Sequence, residues 1–278
     1  MSAPTATPPH PGLDSGAGTG PEVLRDSWTM LRRNLLQMVR YKSLTLMLLA
    51  QPLIFLLLFV YVFGGTMGAG LPGGGDRADY LAFIMPAIVV ITIASISLST
   101  AYTIALDMER GIVDRFRTMA IARSAVLTGR VLAAVLMTVV AFFVVLAVAF
   151  LLGYRSDGSA LGWLGVVGLV LLMTLALTWL TVALGLSAPN AETASNTPMP
   201  LMFLPFLSSG FVPTDSMPAG IRWFADYQPF TPMINTLRAW MGGADAGSDA
   251  WLAVGWCALI AFLGYLWARG LYAKVRAG

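Results

Sequence analysis

LTLMLLAQPLIFLLLFVYVF, Leu44 to Phe63, runs for twenty residues without a charge. As a helix it rises about 30 Å, the thickness of a bilayer's hydrocarbon core. No soluble helix needs to be apolar on every side over that length. The segment ends at Gly64-Gly65, ahead of the polar loop LPGGGDRADY. Working outward, four more runs of similar character follow, at about Leu81–Leu106, Val126–Leu152, Leu161–Leu186 and Trp251–Trp267. Pro86 predicts a kink near the start of the second.

Another run, about Thr197–Val212, is shorter and carries Pro198, Pro200 and Pro205. A helix so broken crosses a membrane only where protein neighbours satisfy the backbone groups that proline frees. Counted in, it makes six spans and an all-α integral membrane fold.

The whole chain agrees. Its 278 residues are 57% hydrophobic and 11% charged, with mean hydropathy +0.75, where soluble domains carry about 25% charged residues. The net charge of +3 is too mild to imply a nucleic-acid partner. The partner it implies is the lipid bilayer.

Charge sets the expected orientation. All but four of the 17 Lys and Arg fall in the N-terminal segment, between the second and third spans, or after the last. The exceptions are Arg77, Arg155, Arg222 and Arg238. Cationic loops remain in the cytoplasm, which places both termini there.

Residues 1–21 are rich in Pro, Gly, Ser, Thr and Ala and are expected to be a disordered tail, ahead of a transmembrane domain over 22–278. From Glu22 to Lys42, Val23, Leu24, Trp28, Leu31, Leu35, Met38 and Val39 recur at helical spacing among five cationic residues. Such a basic amphipathic helix suits an anionic membrane surface and equally the underside of a partner domain.

Between the fifth and sixth spans, Pro213 to Gly247 mixes Trp223, Phe224, Tyr227, Phe230, Met233, Ile234, Leu237 and Trp240 with four prolines. The pattern predicts short, broken amphipathic helices dipping into the outer leaflet. An ordinary interfacial aromatic belt would read the same way.

The chemistry of catalysis is missing. Only Lys42 precedes a Ser or Thr, and Tyr41 stands where a nucleotide-binding loop needs Gly. GxSxG and HExxH are absent. The single histidine, His10, lies in the tail, and the single cysteine, Cys257, lies within an apolar run. The spans carry almost no ionisable groups of the kind that relay protons or sense voltage. A transporter built this way draws its energy from another chain, and the chain is not expected to be an enzyme.

DMERGIVDRFRTMAIARSAVLTGRVL, from Asp107, joins the second and third spans. Ile112, Phe116, Met119 and Ala120 define one apolar face, and Asp114 and Arg117 are spaced to pair on another. The segment reads either as a cytoplasmic helix gripped by a soluble partner or as a solvated loop with stop-transfer charges.

Four stretches together resemble the ABC-2 type permeases, in particular the daunorubicin-resistance permease branch of actinobacterial drug exporters. They are LLAQPLIFLLLFVYVFGG from Leu48, YLAFIMPAIVV from Tyr80, DMERGIVDRFRTMAIARSAVLTGRVLA from Asp107, and SSGFVPTDSMPAGIRWFADYQPFTPMINTLRAW from Ser208. The resemblance extends over about Trp28–Trp267. Where the family usually carries Pro, this chain has Ala120, which leaves the coupling helix free to run on unbroken.

The resemblance implies a multi-pass permease of the bacterial plasma membrane, with six spans per chain. It implies two permease chains per transporter, a homodimer here or a pair with a sister chain, over separate ATP-binding subunits that hold ATP and Mg. On the matching motif it marks Glu109, Gly111, Asp114, Arg115, Arg117 and Arg123 as ATPase-docking residues. No cofactor or metal is expected in this chain.

Spans rich in Phe, Met and Leu with no charged site suit hydrophobic or amphipathic small molecules. Met202, Phe203, Phe206 and Phe211 are candidates to line their path, with core packing as the other reading of each. Export of polysaccharide or glycolipid is the alternative within transport. A non-transporting membrane anchor is the alternative outside it, and the lack of intramembrane His and carboxylates speaks against an intramembrane enzyme.

Overall fold

A computed structural model describes residues 42–71, 74–110 and 123–274. The tail, the basic amphipathic segment and most of the loop from Gly111 onward lie outside the described residues. Among the described residues the regular secondary structure is all helix, because an α-helix satisfies every backbone group within its own segment in lipid.

The first span begins as α1 (Lys42–Leu58), passes through one wide π turn (Phe59–Phe63) and continues as α2 (Gly64–Ala69). The helix therefore runs on past Gly64-Gly65, where composition had suggested an end. α3 (Arg77–Glu109), α4 (Arg123–Leu151) and α5 (Ala160–Ser187) follow. After them come three short helices, α6 (Ala191–Asn196), α7 (Met199–Phe203) and α8 (Ala219–Tyr227), then α9 (Phe230–Met241) and α10 (Ser248–Lys274). Among the described residues, five helical stretches are long and apolar enough to cross a membrane: Leu46–Ala69, Arg77–Glu109, Leu127–Leu151, Ala160–Ser187 and Ser248–Leu271.

The expected span over Thr197–Val212 is not one helix. Its prolines divide it into α7 and a tight 3₁₀ turn, Leu204–Leu207, after which Ser208 is extended. Proline at the first positions of each piece fits the missing N–H groups. The linker before it forms α6, started by the Asn190 side chain, which accepts the Thr193 N–H at 2.7 Å.

α3 is the centre of the molecule. Leu81, Ile84, Met85, Ile88, Ile91 and Ile93 are all fully buried. Pro86 sits inside this helix, which continues through it. α4 runs antiparallel to α3: Ile104 packs with Leu127 and Val131, and Ile96 with Ala134, Met137 and Ala141. α5 runs parallel to α3, with Ser97 and Thr178 hydroxyls 3.3 Å apart.

α5 and α10 are also parallel. Trp179 and Tyr265 meet edge to face with centroids 5.0 Å apart, and Ala268 packs with Val182, Ala183 and Leu186. Gly264 lets the two backbones touch: a Cβ there would lie 2.7 Å from the Leu180 nitrogen.

The stretch expected to dip into the outer leaflet divides in two. α8 keeps Ile221, Trp223, Phe224 and Tyr227 exposed, as an interfacial helix would. α9 instead buries Phe230, Met233, Ile234 and Leu237 in the main core beside α3. Its apolar face is covered by protein.

Candidate functional site

At the end of α3 that carries Glu109, three features converge. Asp107 and Arg130 form an ion pair between α3 and α4. The Glu109 carboxylate accepts the Ala191 N–H at 2.7 Å, satisfying a free donor at the start of α6. Ala105 packs against Ala191 and Ala194. Glu109, picked out as a docking residue, thus also joins the second span to the segment that follows α5. Gly111, Asp114, Arg115 and Arg117 lie outside the described residues. Arg123 opens α4, and its side chain lies outside them too.

Along the bundle, the four path candidates separate. The Gln51 amide donates to the Met202 sulfur at 3.7 Å, linking α1 to α7. Phe206 and Phe211 stack, with centroids 4.8 Å apart and planes 8° from parallel. Phe55 and Phe59 join them from the first span, with Phe59 4.5 Å from Phe211 and Phe55 5.7 Å from Phe206. The result is an uncharged aromatic wall. Phe211 is buried, whereas Phe203 is 58% exposed and stands apart from it.

The opposite end of α3 holds a polar cluster that span counting passes over. The Arg238 Nε donates to the Phe83 carbonyl at 3.2 Å, and Nη2 donates to the carbonyls of Ser209 at 2.7 Å and Gly210 at 3.4 Å. Nη1 donates to the Asn235 Oδ1 at 3.1 Å. That oxygen also accepts the Ser209 hydroxyl at 2.7 Å, while the Asn235 amide donates to Asp249 at 3.0 Å.

The guanidinium carbon lies 4.0 Å from the centre of the Phe83 ring, in cation–π range. An arginine keeps its charge in such a setting. Nearby, the Tyr80 hydroxyl donates to the Phe211 carbonyl at 3.4 Å and the Gln228 amide to the Leu207 carbonyl at 2.6 Å. The available signal was one arginine among the apolar residues of TPMINTLRAW.

A family model described as "ABC-2 type transporter" matches residues 25–241. The chain belongs to the ABC-2 type transporter family. This ABC-2 protein is 32% identical over 204 residues to the daunorubicin resistance ABC transporter permease protein DrrB1 of Streptomyces coeruleorubidus, covering 73% of this chain and 70% of that one. It is 27% identical over 153 residues to the probable doxorubicin resistance ABC transporter permease protein DrrC of Mycobacterium tuberculosis, covering 54% of this chain and 55% of the relative. Family membership and the apolar helices make it a multi-pass membrane protein of permease type.

Proposed function

We propose that this chain is the membrane subunit of a bacterial exporter that moves hydrophobic or amphipathic small molecules of drug type out of the cell. A separate ATPase subunit, carrying ATP and Mg, drives it. The observation that carries the reading is the similarity over 204 residues to a permease named for daunorubicin resistance. The aromatic wall of Phe55, Phe59, Phe206 and Phe211 supports it, since a fused-ring or greasy cargo is stabilised by ring stacking and apolar contact.

The reading includes six crossings with both termini in the cytoplasm. What supports the sixth is where the broken segment meets α3. Ala191 and Ala194 pack on Ala105, and the Phe211 carbonyl accepts from Tyr80. Tyr80 and Ala105 are separated by about 37 Å of helix, more than the hydrocarbon thickness of about 30 Å. An odd number of crossings would put the basic C-terminus outside, against the charge rule.

A second copy of the chain completes the permease in this reading. Ile54, Tyr61 and Val62 on the first span and Phe203 on α7 are large, apolar and exposed in the single chain, and they are the surface offered to lipid or to that copy. The ATPase would dock on the segment around Glu109, Gly111, Asp114, Arg115, Arg117 and Arg123.

The division of labour is tested by efflux from vesicles. Drug export is expected only when this chain, its ATPase and ATP are all present. Export by this chain without ATP would contradict it. Docking is best tested with Asp114→Arg, because reversing Glu109 would also remove the bond to Ala191. Loss of co-purification of the ATPase, with membrane insertion unchanged, is the expected result. Undiminished co-purification would remove Asp114 from the interface.

A further inference from the structure

Three separate backbone segments meet at the Arg238 guanidinium. One is the second turn of α3. Pro86 has no N–H to give the Ala82 carbonyl and its ring crowds that turn, and on the neighbouring carbonyl, Phe83, sits the Arg238 Nε. The second is Ser209–Gly210, where the chain is extended or turning and its carbonyls belong to no helix. The third is α9 itself, which supplies Arg238 and Asn235.

Among the described residues, every hydrogen bond of this guanidinium goes to a carbonyl oxygen, and its fifth contact is the face of Phe83. A cation held without a bonded carboxylate is a costly way to fasten a static joint, which apolar packing would hold as well or better. What it does offer is geometry. A planar fork can hold several carbonyls at once, and all of them are released together when it leaves. The joint also lies next to Phe211, the last ring of the aromatic wall.

We propose that Arg238 is the latch of an outer gate: it holds the Ser209–Gly210 crossover and α9 against the proline-bearing turn of α3, and so closes the outer end of the aromatic wall. Taking this end as the exit rests on the exporter reading above. The latch itself rests on contacts within this chain. Arg238 acts here as a positioning residue.

The test uses the full-length chain in its membrane with Val212→Cys as a reporter, since Val212 is partly buried just beyond Phe211 and fits a thiol closely in size. Native Cys257, fully buried in α10, reports on the rest of the fold. A membrane-impermeant maleimide is applied to intact cells and, separately, to inverted vesicles.

Arg238→Ala is expected to speed labelling at position 212 by at least about tenfold, because charge-assisted bonds to three backbone carbonyls are lost, while Cys257 stays protected. Asn235→Ala, which keeps the arginine but removes its side-chain partner, is expected to act in the same direction with smaller amplitude. It serves equally if Arg238→Ala does not accumulate in the membrane.

Unchanged labelling from both faces would overturn the latch. So would simultaneous exposure of Cys257, which would make Arg238 a general support of the fold. A faster rate seen only in inverted vesicles would keep the latch and instead overturn the assigned orientation.

Discussion

At Asp107 a carboxylate is held at the end of a long apolar helix by Arg130 across the α3–α4 contact. Arg130→Ala leaves that acid largely buried without its partner. It is expected to lower the stability of the detergent-solubilised protein by about 1–3 kcal/mol, read by thermal unfolding. The double variant with Asp107→Ala should recover part of the loss; no recovery would mean that the two residues act independently.

Asp76 makes a pH-dependent contribution. Its carboxylate accepts the Asp79 and Ala78 N–H groups, and these bonds hold its pKa below the ordinary carboxylate range. A lowered native pKa adds stability above the unfolded value of about 4, and that contribution is lost as pH falls through the native value. Below pH about 4 the amides of Ala78 and Asp79 are therefore expected to exchange faster relative to their intrinsic rates. Asp76→Asn, which still caps, should abolish that dependence; an unaltered pH profile would assign it elsewhere.

At the scale of elements, the contact between α5 and α10 depends on one missing side chain. A Cβ at Gly264 would meet the Leu180 nitrogen and the Trp179 carbonyl carbon, whereas one at Gly255 on the same helix would meet nothing within 4 Å. Gly264→Ala is expected to cost about 1–3 kcal/mol by forcing two packed backbones apart, and Gly255→Ala to leave the unfolding midpoint unchanged or slightly raised. Equal behaviour of the two variants would show that the helices do not touch there.

The five long helices were readable because about twenty apolar residues in a row have few other ways to fold. The segment over Thr197–Val212 was readable as broken, since each proline deletes a backbone donor. What its pieces packed against was not. α9 shows the same limit: its apolar face would look identical against lipid or against α3, and periodicity carries no information about which covers it. Arg238 counted in the sequence only as one of four cations on the minority side, because its partners are backbone carbonyls, which every sequence possesses. Of the path candidates, Phe206 and Phe211 come together, and the rings that complete their wall, Phe55 and Phe59, come from a span distant in sequence.

For the whole molecule, the proposed exporter combines five membrane-length helices, a proline-divided segment that touches α3 near both its ends, and a charged segment between α3 and α4 that would serve the ATPase as a handle. The account depends on that handle facing the cytosol, where a soluble ATPase can grip it. The most direct measurement places a cysteine at Thr118, between α3 and α4, in a Cys257→Ala background and applies a membrane-impermeant thiol reagent to intact cells and to inverted vesicles. Labelling in inverted vesicles alone is the predicted result; labelling of intact cells would put the handle outside and contradict the account.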